Sequence, residues 1–170
     1  MLRKQTVSGT ARWGIAILAF LCAGSPSQGA TISTTFTVTA TVLASCSVSA
    51  ADLDFGIYAP GSGSDTTASS TIDVTCSNGA TYTIKLDGGS VANDMTAREM
   101  SDGSSHTLSY GLYTDASCTT IWGDGTGSTA TVGGTGNGSP QSVTVYGKVP
   151  AGQYATPATY TDHISVTVTY

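Results

Sequence analysis

The side chains able to do chemistry in this chain are few and poorly spaced for it. There are two histidines, one glutamate (Glu99) and four cysteines (Cys22, Cys46, Cys76 and Cys118). His163 follows Asp162 inside an alternating run. Neighbours on a strand point to opposite faces, so these two do not form a dyad. His106 opens a strand after a Ser/Gly loop, and both histidines read as solvent-facing polarity. No serine stands in a G-x-S-x-G elbow, and a single glutamate leaves no glutamate pair for glycoside hydrolysis. Cys118 with His106 would make a thiol nucleophile, but nothing orients or activates the sulfur. Asp52, Asp54 and Asp124 offer oxygens to calcium without EF-hand or RTX spacing. Turn chemistry accounts for Asp124 between Gly123 and Gly125, and solvent-facing alternation for Asp52 and Asp54. The expected catalytic, metal-ligating and cofactor-binding sets are therefore empty, and the chain is not read as an enzyme.

Aromatic side chains are the next candidates. Trp122, Tyr110, Tyr113, Tyr146, Tyr154, Tyr160 and Tyr170 would suffice for a sugar-stacking face. Tyr110 and Trp122 fall within strand patterns, however, and such residues pack cores. A secreted monomeric carbohydrate-binding domain stands as an alternative from a different functional class. Asn137-Gly138-Ser139 is formally a glycosylation triplet and reads as loop polarity.

What the cysteines do depends on the compartment. Arg3, Lys4 and Arg12, the apolar run Trp13 to Ala23 and the small residues Ser25 to Ala30 form a signal peptide over residues 1–30, cleaved after Gly29 or Ala30. The apolar run is about half the ~20 residues that a membrane helix needs, so no membrane anchor is expected. Leu21 precedes Cys22 where a lipoprotein needs a small residue, so Cys22 leaves with the signal. Export implies an oxidising environment and one disulfide among Cys46, Cys76 and Cys118. Cys46 and Cys76 are the expected pair, because each ends a Thr/Val-rich strand and the two strands can lie side by side. Closing that loop stabilises the fold by about 3–4 kcal/mol in the chain-entropy model. Cys118 is either a buried thiol or paired in another way.

Loss of the signal removes three positive charges from a chain whose net charge is already −5, leaving Lys85, Arg98 and Lys148 as its cations. So acidic a domain is a poor partner for nucleic acid. The remaining length of roughly 140 residues suffices for one domain with its own core.

The elements that would position these side chains are strands. Asp52 to Tyr58 sets Leu53, Phe55 and Ile57 on one face, and Ala59 to Thr67 is a loop. Ser70 to Cys76 sets Ile72, Val74 and Cys76 on one face, and Asn78-Gly79 makes a tight turn before Tyr82 to Leu86 returns. Asp87 to Ser105 is polar, with Met100 as its inward anchor. Thr107 to Tyr113 buries Leu108, Tyr110 and Leu112, and Thr119 to Gly125 is a short strand. Thr126 to Pro140 is a loop, or a weak edge strand around Thr129 to Val132. Ser142 to Val149 and Thr161 to Tyr170 complete the set, the latter with Ile164, Val166 and Val168 in phase. About eight short strands, turn signals every 8 to 12 residues and no helical period past the signal predict an all-β sandwich.

The strongest alternation lies at the start of the mature chain. In Ile32 to Cys46, Phe36, Val38, Ala40 and Val42 face one side, and Thr35, Thr37, Thr39 and Thr41 the other. Two readings of this pattern stand: a first strand paired within its own domain, or a strand given to another molecule.

Seven segments, Thr39 to Cys46, Asp54 to Tyr58, Ile72 to Cys76, Leu108 to Thr114, Thr119 to Gly125, Val143 to Pro150 and Tyr160 to Tyr170, resemble the spore coat protein U domain family. That family includes the Csu-type subunits of archaic chaperone–usher pili. The resemblance implies an immunoglobulin-like β-sandwich lacking its last strand, over residues 42–170, with an N-terminal donor strand over 31–41. It implies assembly by donor-strand complementation into an extracellular fibre serving adhesion and biofilm formation. The donor residues would be Phe36, Val38 and Ala40, with Ile32 and Val42 as end positions. The partners implied are a periplasmic chaperone, an outer-membrane usher and neighbouring copies of the chain. The Cys46–Cys76 pair also matches the family's disulfide. A spore or cell coat protein assembling by the same exchange is the alternative within the family.

Overall fold

The structure is a computed structural model that describes residues 28–170; the expected signal peptide lies outside the described residues up to residue 27. Residues up to 40 and residues 41–170 form two separate units. The described part of the first unit, residues 28–40, is exposed throughout and has neither helix nor strand, and residues 41–45 continue in the same way. A strand is stable only against a partner, so the alternation of residues 32–45 is not expressed as secondary structure in the single chain.

The second unit contains eight strands: β1 (Cys46–Ala50), β2 (Thr66–Cys76), β3 (Thr81–Leu86), β4 (Arg98–Ser101), β5 (Thr107–Tyr113), β6 (Val132–Thr135), β7 (Gln141–Val149) and β8 (Val166–Thr169). Its only helical element is one 3₁₀ turn, Pro60–Ser62. A five-stranded sheet in the order β1-β2-β7-β5-β4 faces a three-stranded sheet in the order β6-β3-β8, and every strand pairing is antiparallel. The architecture is the predicted all-β, immunoglobulin-like sandwich.

The core comes from the alternation. Ile72 and Val74 of β2, Val145 and Val149 of β7 and Leu108, Tyr110 and Leu112 of β5 are buried against Tyr82, Ile84 and Leu86 of β3. Trp122 is fully buried, and its indole N–H donates to the Ile84 carbonyl at 3.2 Å. At about 1.5–3 kcal/mol for each large apolar side chain, this burial is the main favourable term of folding.

Several expectations shift. Thr119 to Gly125 holds only isolated bridges at Ile121 and Trp122 rather than a strand, and within Thr161 to Tyr170 the strand is confined to Val166–Thr169. Asp52 to Tyr58 is not a strand: Leu53 and Phe55 lean on the core, but Ile57 is 93% exposed and Tyr58 turns inward. Gly56, at φ +65°, inverts the alternation at that point. The Asn78-Gly79 turn forms, with Ala80 N–H donating to the Ser77 carbonyl, yet it does not close a hairpin. Gly79 and Ala80 bond to Gly136 instead, so the turn carries the chain from one sheet to the other. The polar stretch holds β4, whose buried residue is Arg98 rather than Met100, which is half-buried. The weak edge strand sits at Val132–Thr135, where Val132 is opposite Ile84 and Thr135 opposite Thr81.

Candidate functional site

β1 and β8 each pair on one side only, β1 with β2 and β8 with β3. Their other sides are open. Hydrogen bonding fixes which backbone groups face each opening. Ser77 N–H donates to the Ser45 carbonyl at 2.9 Å, and Ala51 N–H to the Thr71 carbonyl at 3.0 Å. Odd-numbered residues of β1 thus turn toward β2, and strand alternation leaves the backbone groups of Cys46, Val48 and Ala50 at the free edge. On the other side, Ser90 N–H donates to the His163 carbonyl at 3.1 Å, and Asp87 N–H to the Ser165 carbonyl at 3.2 Å. The same alternation leaves Val166 and Val168 at the free edge of β8, and Ile164 at that of the stretch leading into it.

The side chains of these edge residues face inward yet are incompletely covered. Val48, opposite the fully buried Val74, is 40% exposed, and Ile164, Val166 and Val168 are half-buried. The opening leads into a groove of about 640 Å³ whose floor includes Ile72, Leu86, Leu112 and Val145. Phe55 stands on its rim, edge-on to Tyr110 with ring centroids 6.2 Å apart. Unpaired edge groups beside uncovered apolar side chains invite an added strand, which supplies backbone bonds along its length and side chains at alternate positions.

The disulfide joins Cys46 and Cys76, register partners at the start of β1 and the end of β2. Each lies where strand alternation placed it, and the pairing expected from the sequence is present. Cys118 is a free thiol held at φ +52°. Burial pushes its pKa up, against an opposing pull from Lys148.

One end of the β8 wall is held by a carboxylate. Asp162 Oδ1 accepts from Ser90 N–H and Ser90 Oγ–H, both at 2.8 Å, from Val91 N–H at 3.2 Å and from His163 N–H at 2.8 Å. Its Oδ2 accepts from the Tyr110 hydroxyl at 2.7 Å. Burial pushes the carboxyl pKa up, but the donors led by Tyr110 and Ser90 outweigh it and hold it below the ordinary value. The Tyr110 hydroxyl, buried and bonded to an anion, is pushed far above the usual tyrosine range. Asp162 is half-buried and His163 exposed, in alternation.

Beneath this carboxylate lies Arg98, with no exposed surface. Its guanidinium donates to three main-chain carbonyls: Asp87 from Nε at 3.0 Å and Nη2 at 2.5 Å, Met95 from Nη1 at 3.0 Å, and Trp122 from Nη2 at 2.8 Å. Burial lowers its pKa, while Tyr110 and the Asp87 and Asp162 charges raise it. In the sequence Asp162 figures only as a rejected dyad partner of His163 and Arg98 only as one of three cations; neither is expected to organise the interior. The one available signal was an arginine inside a strand-length segment of a chain with very few cations.

The remaining candidates are dispersed. Ile32, Phe36, Val38 and Val42 are 95%, 86%, 80% and 89% exposed, and Ala40 is exposed as well. His106 Nδ1 lies 2.7 Å from Asp102 Oδ2 across a four-residue turn, on the surface. Among the described residues, no group of three or more His, Cys, Asp or Glu side chains could hold a metal ion. Of the aromatic candidates, Trp122 and Tyr110 are core residues, whereas Tyr154 and Tyr170 are exposed.

Comparison with known proteins agrees with this architecture. The sequence model of the Spore Coat Protein U domain matches residues 32–167. Protein U of Myxococcus xanthus is 32% identical over 176 residues, which cover 95% of this chain and 97% of that protein. Among solved structures, a chain of the CsuC-CsuE chaperone-tip adhesion subunit pre-assembly complex from archaic chaperone-usher Csu pili of Acinetobacter baumannii superposes with a TM-score of 0.55 at 20% identity. That superposition covers 76% of this chain but 40% of the other, and at such identity the likeness is one of fold. With the match running from the exposed alternating segment into β8, and a relative aligned almost end to end, the chain belongs to the Spore Coat Protein U domain family.

Proposed function

We propose that this chain is a structural subunit of an extracellular fibre, exported through the periplasm and assembled by strand donation between copies. The observation that carries the reading is the groove between β1 and β8, open on two facing edges. Its natural occupant is the apolar face of Ile32, Phe36, Val38, Ala40 and Val42 from another copy. Phe36, Val38 and Val42 together would contribute several kcal/mol on burial, at about 1.5–3 kcal/mol for each large side chain.

Chain connectivity hinders the segment from filling its own groove. It runs directly into β1 at Cys46. Lying antiparallel to β1 would need a hairpin through Leu43-Ala44-Ser45, which lacks the Gly, Asn or Asp of tight hairpin turns. Lying parallel to β1 would need a crossover of about a dozen residues. Donation to a neighbour avoids both. By the same logic the newly exported subunit needs a temporary strand from a periplasmic chaperone, handed over at an outer-membrane usher. The fibre would serve attachment and biofilm formation.

The test is Phe36→Asp. Fibres, seen as ladders on a denaturing gel without heating, should vanish, while chaperone capture persists because the groove is unchanged. Normal ladders from this variant would overturn the donor assignment.

The likeness to Protein U favours a second reading, a coat protein assembled around a cell or spore by the same exchange. Genes for a chaperone and an usher beside this one favour the fibre; their absence favours the coat.

A further inference from the structure

The 162–165 stretch of the groove wall is not held by a β-ladder. It is bonded instead by the 87–91 loop: the His163 and Ser165 carbonyls accept from the Ser90 and Asp87 main-chain N–H groups, while the wall's own N–H groups donate to side chains standing in for strand backbone. Asp87 Oδ1 accepts from Ser165 N–H at 3.0 Å, Ser90 Oγ from His163 N–H at 3.3 Å, and Asp162 draws Ser90 and Val91 onto its carboxylate. The loop is shaped around that carboxylate. Gly89 has φ +83°, and a Cβ placed there would lie 2.0 Å from Asp162 Oδ2. From below, Arg98 grips the loop at the Asp87 carbonyl. Asp162 thus joins three parts of the molecule: the loop, the groove wall, and Tyr110 on the opposite sheet.

We infer that Asp162 is a positioning residue of the acceptor groove, holding the Asp162–Ser165 wall at the distance from Tyr110 and Met100 that lets one end of an incoming strand seat. The inference rests on the groove reading proposed above. Asp162, Ile164, Tyr110 and Met100 all border the same groove. Without the carboxylate, Ser90, Val91 and Tyr110 lose their shared acceptor; the bonds of Asp87 and Ser90 to the wall remain, but its tie to the opposite sheet goes, and that end of the groove loses its fixed width. The middle of the groove, walled by the laddered β8 and floored by Ile72 and Val145, keeps its shape.

The experiment uses the full mature chain and fluorescent synthetic peptides spanning Thr31 to Leu43, complete or shortened by three residues from either end. In the wild type, each truncation weakens capture. In Asp162→Ala, the complete peptide should bind about tenfold more weakly. Truncation at the end that seats beside Asp162 should then cost nothing further, while truncation at the other end keeps its full cost. Gly89→Ala, which retains the carboxylate but displaces it, should give the same one-ended pattern, and Asp162→Asn, which keeps an acceptor oxygen, should recover part of the affinity. Equal weakening for all peptides, in step with a lowered melting temperature, would reduce Asp162 to a general stabiliser and overturn the inference. Unchanged capture by Asp162→Ala would overturn it as well. Failure of the wild type to capture any peptide would instead overturn the groove reading itself.

Discussion

The guanidinium of Arg98 donates to the main-chain carbonyl of Trp122 at 2.8 Å, at a depth where neither residue has exposed surface. A buried cation is tolerated only when its donors find acceptors, and here the carbonyls of Asp87, Met95 and Trp122 take four hydrogen bonds that engage all three guanidinium nitrogens. The same bonds give three loop carbonyls a partner that no strand provides. Arg98→Met keeps much of the stem volume but orphans these carbonyls. Urea unfolding should show a loss of about 2–5 kcal/mol. Arg98→Lys, with a compact charge in place of a planar fork, should recover only part of it.

Cys46 begins the edge strand that forms one wall of the groove, and Cys76 is buried at the end of β2. Opening the bond by Cys46→Ser with Cys76→Ser, or by reduction, frees a loop with a sequence separation of 30. The expected loss is about 3–4 kcal/mol in the chain-entropy model. Because β1 has five residues and one partner, hydrogen exchange in Ser47 to Ala50 should quicken before that of β2 or β7.

Acid should weaken the fold through carboxylates held below the ordinary value of 3.8. Asp162 is one; Asp94, Asp102, Asp115 and Asp124 are others, each depressed chiefly by hydrogen bonds, from Thr96, His106, Thr120 and Thr126 respectively. For a group whose folded pKa lies below its unfolded one, the stabilisation is present above the unfolded value and lost as pH falls through the folded one. Melting temperatures should therefore hold between about pH 7 and 5 and drop below about pH 4. Asp162→Asn should lower the neutral-pH melting temperature and reduce the size of the acid drop.

Period-two alternation determined most of the architecture. Ile72, Val74 and Cys76, then Leu108, Tyr110 and Leu112, lie in the core where their spacing placed them, because burying one face of a strand leaves no freedom in which residues turn inward. The disulfide followed from the same logic. Where the alternation was broken, the reading failed. Gly56 reverses the side on which Ile57 and Tyr58 emerge, since a residue at positive φ rotates the chain out of the strand. Glycine-rich β6 was placed three residues early because Gly133 and Gly134 carry no side chain to mark a phase.

The sequence by itself thus determined a disulfide-bonded β-sandwich preceded by an apolar alternating segment, because these properties are local: spacing and residue type suffice. Only the tertiary structure decided which edges stay unpaired. Asn78-Gly79 signals a turn equally well whether it closes a hairpin or crosses between sheets, so strand order is invisible to local patterning. The roles of Arg98 and Asp162 emerged with that order, since their partners lie up to 72 residues away and meet them only once the two sheets face each other.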